Sequence, residues 1–243
     1  MLNKIYNEDC LEGMRRIPDK SIDMILCDLP YGTTRNKWDS IIHLDQMWEQ
    51  YNRIIKDNGA IILTAQTPFD KVLGASNLKL LRYEWIWKKS NGTGHLNAKK
   101  MPLKNHENIL VFYKKLPIYN PQFTEGTPYK STGRKARNSS NYGKQRDGIT
   151  TINEGYRYPL SIQKFNYDKE KLHPTQKPVA LFEYLIKTYT NEGESVLDNC
   201  MGSGTTAIAC MNTNRNFIGF ELDESYWRIA NERIEQHKMI KHP

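Results

Sequence analysis

A carboxylate and an aromatic ring follow a short apolar run near the start of the chain. The run, IDMILC at residues 22–27, ends on Asp28, Leu29, Pro30 and Tyr31, and its composition predicts a strand buried in a parallel sheet. Pro30 has no N–H for a sheet ladder, so the strand must end there. Because open α/β sheets bind ligands at strand carboxyl ends, Asp28 is a candidate functional residue. A solvated Asp before a proline turn is the alternative interpretation.

A glycine-containing turn near the other end of the chain is a second candidate site. Residues 196–207, VLDNCMGSGTTA, predict a strand ending on Asp198, a turn at Gly202 and Gly204, and a helix from Thr205. Glu221 ends the next predicted strand, where an acid can accept hydrogen bonds from ribose hydroxyls. A turn that needs glycines for backbone reasons alone is the alternative.

The same turn matches the dinucleotide pattern G-x-G-x-x-G/A, which is a weak signal by itself. Asp198 would repel a pyrophosphate, and too little chain follows for a second nucleotide-binding half. Both observations argue against NAD. A ligand with a ribose, an ammonium and a sulfonium but no phosphate, such as S-adenosylmethionine, avoids the repulsion.

Length and charge narrow the class of protein. The 243 residues predict one α/β domain with one large insertion. The net charge of +8 favours a polyanionic partner, with nucleic acid as the first candidate.

Cysteine usage and hydropathy predict the compartment. The four cysteines form no C-x-x-C pair, which argues against zinc and predicts no metal site. They are expected to be reduced thiols of a cytoplasmic protein. The first residues lack an apolar signal core and no run is long enough to span a membrane, so no membrane partner is expected.

Strand-like and helix-like segments alternate along the chain. Helical periodicity over 43–59 predicts a helix that stops at Asn58 and Gly59, followed by a strand at 60–65. Two further strands, 83–89 and 108–114, are joined by a loop over residues 90–105. Asp223 is expected to cap the final helix. The remaining predicted elements are strands at 4–6, 22–27, 194–198 and 216–222, and helices at 10–17, after Pro68, at 178–190, 204–212 and 224–238.

The middle of the chain differs in character. Residues 116–171 have no sustained helical period, and six basic residues occur there without an acid among them: Lys130, Arg134, Lys135, Arg137, Lys144 and Arg146. A loop this long inside a compact domain is usually functional or disordered. A solvated basic loop is the alternative.

Three motifs together resemble one family. They are DLPYG at 28–32, HPTQKP at 173–178 and LDNCMGSGTT at 197–206. In this order they resemble the amino-methylating DNA methyltransferases, and with the catalytic motif before the cofactor motif they look like its permuted β group. The likeness covers nearly the whole chain apart from the variable middle. Two departures occur: Asn199-Cys200 replaces the usual Pro-Phe, and Leu29 replaces a commoner Pro.

The resemblance implies a fold and a domain plan. It implies a Rossmann-like α/β sheet of S-adenosylmethionine-dependent methyltransferases, with helices on both faces. Residues 1–115 and 172–243 would form the catalytic and cofactor domain, and residues 116–171 an inserted target recognition region.

The resemblance also implies roles for the first motif. Asp28 and the Leu29 carbonyl would each accept one hydrogen of the target amine and so orient its lone pair. Tyr31 would stack on a base flipped out of the duplex, and Pro30 would fix the turn.

The cofactor residues implied by the resemblance lie in four parts of the chain. Glu221 would hold the ribose, Lys177 would pair with the cofactor carboxylate, and Asp9 would accept from the cofactor's adenine amine. A helix N-cap for Asp9 and a surface charge for Lys177 are the alternatives. His106-Glu107 is interpreted as structural and left out of the site. The full set is Asp9, Cys10, Thr175, Gln176, Lys177, Asp198, Gly202, Ser203, Gly204, Thr205 and Glu221.

The expected function is site-specific adenine-N6 methylation of double-stranded DNA, with a homodimer and a cognate restriction endonuclease as further candidate partners. Cytosine-N4 methylation, a non-catalytic nucleic-acid-binding protein on the same scaffold and a dinucleotide-dependent oxidoreductase are the alternatives. The residues expected to contact DNA are Lys99, Lys100, Lys130, Arg134, Lys135, Arg137, Lys144 and Arg146.

Overall fold

The computed structural model describes residues 1–32, 41–133, 148, 150–170 and 172–241. The chain divides into two compact units, one of Met1–Asn120 with Ser161–Pro243 and the other of Pro121–Leu160.

The strands of the described residues are numbered in chain order. They are β1 (Lys4–Asn7), β2 (Ile22–Asp28), β3 (Ile55–Ala65), β4 (Leu81–Thr93), β5 (Lys104–Phe112), β6 (Thr124–Glu125), β7 (Tyr129–Thr132), β8 (Thr150–Asn153), β9 (Tyr156–Arg157), β10 (Ile162–Lys164), β11 (Ser195–Asp198) and β12 (Asn216–Glu221).

The helices are numbered in the same way. They are α1 (Cys10–Met14), α2 (Leu44–Ile54), α3 (Phe69–Ser76), α4 (Val179–Tyr189), α5 (Thr205–Asn212) and α6 (Glu224–Lys241). Asp223 caps α6 as expected, because its Oδ1 accepts from the backbone N–H of Ser225 at 2.9 Å. No helix in the described part of the chain is long and apolar enough to cross a membrane.

The larger unit is built on one mixed sheet in the order β1-β12-β11-β2-β3-β5-β4-β10. Strand β5 runs antiparallel to β3 and β4, and the other pairs are parallel. Register places Asn7 opposite Glu221, and Asp28 opposite Thr64. The polar ends of β1, β12, β11 and β2 therefore meet at one edge of the sheet.

Side chains of β2 alternate between two hydrophobic cores, one on each face of the sheet. Met24 and Leu26 pack with helices α4, α5 and α6 through Phe182, Ala209 and Ile234. On the opposite face, the neighbouring residues of the same strand pack with helices α1, α2 and α3. The expected Rossmann-like α/β sheet with helices on both faces is confirmed, and this near-continuous apolar run is explained by burial on both sides.

The predicted end of the second helix at Asn58 and Gly59 is wrong. Helix α2 ends at Ile54, and Ile55 already adopts extended angles and pairs with Ile22 of β2. Pairing in the sheet therefore overrides the helical periodicity of the sequence, which continues beyond Ile54.

The loop expected over residues 90–105 is shorter than predicted. Strand β4 continues to Thr93, which pairs with Lys104 of β5. The connection is therefore confined to residues 94–103.

The smaller unit, Pro121–Leu160, is made of nested antiparallel pairs. Strand β6 pairs with β9, and β7 pairs with β8. The inserted region expected over 116–171 is longer than this unit, because β10 adds to the main sheet beside β4.

Candidate active site

A cavity of about 880 Å³ lies at the sheet edge where the strands β1, β12, β11 and β2 end. It brings together the three motifs found in the sequence. Of the fifteen residues expected in the catalytic and cofactor sets, the cavity wall includes these fourteen: Asp9, Cys10, Asp28, Leu29, Pro30, Tyr31, Thr175, Gln176, Lys177, Asp198, Gly202, Ser203, Thr205 and Glu221.

Gly204 is the exception. It precedes α5 with φ at +84°, and a Cβ there would lie 3.2 Å from Cβ of Ala230. Its position is set by the turn and by packing on α6, and it does not line the cavity.

Asp28 ends β2 and its carboxylate accepts three hydrogen bonds from the described residues. Oδ1 accepts from the hydroxyl of Tyr31 at 2.7 Å and from the hydroxyl of Thr64. Oδ2 accepts from Nζ of Lys177 at 2.6 Å. The side chain is 23% exposed, so part of this carboxylate faces the cavity.

Tyr31 is held from both ends of its side chain. Its ring stacks on Phe69 with centroids 5.5 Å apart, and its hydroxyl donates to Asp28. Burial, followed by the negative charges of Asp28 and Glu107, raises the pKa of Tyr31 well above its ordinary value. The hydroxyl therefore remains a hydrogen-bond donor at neutral pH.

Lys177 makes ion pairs with two acids of the cavity wall. Its Nζ lies 2.6 Å from Oδ2 of Asp28 and 3.2 Å from Oε2 of Glu107, and its side chain is 4% exposed. Burial alone would lower the pKa of Lys177, but the attraction of these two acids outweighs it and raises the pKa. Lys177 thus makes internal ion pairs, and its pairing with a cofactor carboxylate stays a prediction.

Glu107 belongs to the site, although the sequence interpretation left it out as structural. Lys89 Nζ lies 2.5 Å from its Oε1, and Gln66 Nε2 donates to the same oxygen at 3.2 Å. Burial would raise the pKa of Glu107, but Lys177 and Lys89 outweigh this effect and lower it. A signal was present in the sequence: Glu107 directly precedes the predicted strand over 108–114.

The glycine turn is hydrogen-bonded to Glu221, and the space next to Gly202 is open. The Gly202 N–H donates to Oε2 of Glu221 at 2.7 Å, and the Asp223 N–H donates to Oε1 at 2.9 Å. Gly202 has φ at +54°, and a Cβ there would meet no protein atom within 4 Å. The Leu222 N–H also donates to this carboxylate, whose two oxygens have about four lone pairs, so one acceptor position remains for a further donor.

Asp198 stabilises the glycine turn through hydrogen bonds. It is 2% exposed, and its two oxygens accept from the Cys200 N–H at 3.0 Å and from the Thr206 hydroxyl. Burial raises the pKa of Asp198 to about 6, despite the hydrogen bonds that favour its charged form.

Asp9 caps α1, the alternative foreseen from the sequence, while also lining the cavity. Its Oδ1 accepts from the backbone N–H of Leu11 at 2.8 Å and of Glu12 at 3.3 Å. Cys10, the first residue of this helix, is buried.

The HPTQKP segment connects the cavity to the glycine turn. Oε1 of Gln176 accepts from Ser203 Oγ at 3.1 Å, and Nε2 donates to Asp168 at 3.0 Å. The Thr175 N–H donates to Nδ1 of His173 at 3.2 Å. These bonds hold Gln176 and Thr175 in place at the cavity wall.

The residues expected to contact DNA are only partly described. Lys99 and Lys100 are exposed in the 94–103 connection, and Lys130 is exposed on β7 of the smaller unit. The others, Arg134, Lys135, Arg137, Lys144 and Arg146, lie outside the described residues.

No group of three or more His, Cys, Asp or Glu side chains able to hold a metal ion occurs within the described ranges.

Comparison with known proteins identifies the family. A family model for DNA methylases of the N6/N4 type matches residues 22–232. The type II methyltransferase M1.MboII of Moraxella bovis is 29% identical, over 97% of this chain and 97% of its own. The DNA adenine methyltransferase YhdJ of Escherichia coli K12 is 26% identical, over 95% of this chain and 82% of its own.

A solved structure gives the same result. The M1.HpyAVI–SAM complex superposes with a TM-score of 0.65 at 25% identity, covering 95% of this chain and 98% of that one. The strand-end Asp28, the glycine turn and the HPTQKP segment thus share one cavity in a chain that belongs to the N6/N4 DNA methylase family.

Proposed function

We propose that this DNA methylase is a site-specific adenine-N6 methyltransferase acting on a base flipped out of double-stranded DNA. The observation that carries the proposal is the position of Asp28. Its partly exposed carboxylate lies in the cavity wall at the end of β2, between two groups of lining residues. On one side of β2 in the sheet order, Asp9 and Gly202 follow β1 and β11, and Glu221 ends β12. On the other side, Gln66 follows β3 and Lys89 lies on β4.

The first group of residues fits S-adenosylmethionine. A Cβ on Gly202 would meet only open space, and Glu221 beside it has an acceptor position left for a hydroxyl of a ribose. Asp9 offers a further carboxylate at the same cavity wall. When bound, this cofactor supplies a methyl group on a positively charged sulfur, whose C–S electron pair stays with the sulfur. We assign Asp9, Gly202, Ser203 and Glu221 to its binding.

Asp28 and Leu29 are assigned to the target amine. An exocyclic amine is a poor nucleophile, because its lone pair is delocalised into the base ring. Asp28 accepting one hydrogen and the Leu29 carbonyl accepting the other would direct that lone pair at the methyl carbon. The nitrogen would form the new N–C bond and then lose one proton, for which we assign a carboxylate oxygen of Asp28 as the acceptor. Tyr31, fixed by Phe69, would pack on the base.

Basic residues are assigned to the DNA backbone. Lys99, Lys100 and Lys130 are exposed, as phosphate contacts require. The inserted region over 116–171 would supply target recognition.

The experiment uses duplex DNA of mixed sequence and cofactor carrying a labelled methyl group. After digestion to nucleosides, the products are resolved by mass. Label in N6-methyl-2′-deoxyadenosine is expected. Label mainly in N4-methyl-2′-deoxycytidine would overturn the base assignment, and label in neither base would overturn the activity itself.

A further inference from the structure

Two lysines and two carboxylates form a chain of ion pairs in the cavity wall. Lys89 pairs with Glu107, Glu107 pairs with Lys177, and Lys177 pairs with Asp28. Three of the four side chains are at most 8% exposed. We call these residues the charge cluster, and their formal charges sum to zero.

The hydrogen bonds to Asp28 determine which of its carboxylate oxygens keeps a free lone pair. A carboxylate oxygen has two lone pairs. Among the described residues, Oδ1 accepts from both Tyr31 and Thr64, whereas Oδ2 accepts from Lys177 alone. The free lone pair of Asp28 is therefore on Oδ2, directly beside the Lys177 ammonium.

That neighbour presents an electrostatic difficulty. The target nitrogen carries positive charge between formation of the N–C bond and loss of its proton. Lys177 is a protonated lysine next to the atom that accepts from this nitrogen, and like charges at short range in a desolvated site repel strongly. Glu107, 3.2 Å from Lys177, is placed to offset this repulsion.

We propose that Glu107 is a positioning residue whose negative charge keeps the charge cluster neutral, so that positive charge can develop at the amine held by Asp28. Lys89 offsets the excess negative charge that Glu107 and Asp28 would otherwise leave beside Lys177. Glu107 acts through Lys177 and need not touch the base. This inference rests on the proposed methyl transfer.

The first test compares Glu107→Gln with the double variant Lys89→Met, Glu107→Gln. The single variant leaves one unbalanced positive charge and is expected to lower kcat about 100-fold, the size of effect seen when one preorganised electrostatic group is removed. The double variant restores neutrality and is expected to return to within about fivefold of wild type. A structural role for Glu107, or one as a proton acceptor, predicts that the double variant is at least as impaired as the single.

The double variant also guards against misfolding of the single one. It buries no unpaired charge, so it is expected to fold even where Glu107→Gln does not. A kcat for the double variant below about a hundredth of wild type would by itself overturn the proposal. Glu84→Gln, on the exposed face of β4, is the matched control.

A binding measurement provides a readout independent of turnover. S-adenosylmethionine and S-adenosylhomocysteine differ by one methyl group and the sulfonium charge. In Glu107→Gln, the ratio of the affinity for S-adenosylmethionine to that for S-adenosylhomocysteine is expected to fall about fivefold or more. The double variant should restore this ratio. An unchanged ratio in the single variant overturns the charge-balance proposal.

Failure of the proposed function is distinguishable from failure of this inference. If wild type transfers no methyl group to DNA, the function is wrong, and the affinity ratio still reports on the cluster. If wild type is active but both variants match it, or both are equally impaired, the charge balance is wrong while the function stands.

Discussion

Nζ of Lys177 lies 2.6 Å from Oδ2 of Asp28, although 149 positions separate the two residues in the chain. Asp28 ends β2, and Lys177 belongs to the segment that leads into α4. The contact joins two of the three sequence motifs in one site. Because Lys177 is almost fully buried, the motifs depend on each other electrostatically.

Asp28→Ala is expected to reduce methyl transfer to about 1% of wild type or less, because the amine loses its acceptor. The dissociation constant for S-adenosylhomocysteine, which lacks the sulfonium charge, should stay within about threefold, since Asp28 serves the target base. Turnover is measured by methyl incorporation and affinity by titration calorimetry. Retention of more than a few per cent of wild-type turnover would contradict the role assigned to Asp28.

Glu221→Ala is expected to weaken S-adenosylmethionine binding about tenfold or more. The change removes the charged acceptor assigned to the ribose and releases the Gly202 N–H from its carboxylate. Calorimetric titration provides the dissociation constant. Glu224→Ala, exposed at the start of α6, is the matched control and should bind normally. Equal affinities for the two variants would refute the ribose assignment.

Replacing Arg134, Lys135 and Arg137 by Ala is expected to lower DNA affinity and to reduce its salt dependence. Each lost phosphate contact should decrease the slope of log K against log salt by about 0.9. Fluorescence anisotropy with duplex DNA at several salt concentrations measures this slope. Removing the exposed charges of Lys114 and Lys115 is the comparison. An unchanged slope in the triple variant would show that this segment does not face DNA.

Asp198→Asn is expected to change how stability depends on pH. Since the folded pKa of about 6 exceeds the ordinary value of 3.8, the folded state binds the proton more tightly than the unfolded state. The wild-type stabilisation is therefore complete below about pH 4 and is lost as pH rises through 6. Between pH 5 and pH 7.5 the free energy of unfolding of wild type should fall by about 1 kcal/mol relative to that of Asp198→Asn, which has no carboxyl to titrate at this position.

Urea denaturation of both proteins at pH 5, 6 and 7.5 tests the sign and size of this difference. Asp45→Asn, an exposed carboxylate in α2, is the control and should track wild type. Parallel stability curves for Asp198→Asn and wild type would contradict a raised pKa at this site.

The sequence by itself determined the strand ends that carry the site. Pro30 stops β2 just after Asp28, and the glycines at 202 and 204 mark the turn between β11 and α5. These are local effects of missing N–H groups and of backbone angles that favour glycine, so they can be read without knowledge of the rest of the chain.

Only the tertiary structure decided where the helix ends and the strand begins within residues 43–65. It also decided which charged side chains pair in the cavity wall. Ile55 leaves the helix because β2 offers it a pairing partner, and Lys177 forms ion pairs with Asp28 and Glu107. A buried charge pairs with an opposite charge close to it. Which charge is close depends on the order of strands in the sheet, because this order brings distant parts of the chain side by side. Periodicity and spacing describe neighbours along the chain, so neither effect was visible in them.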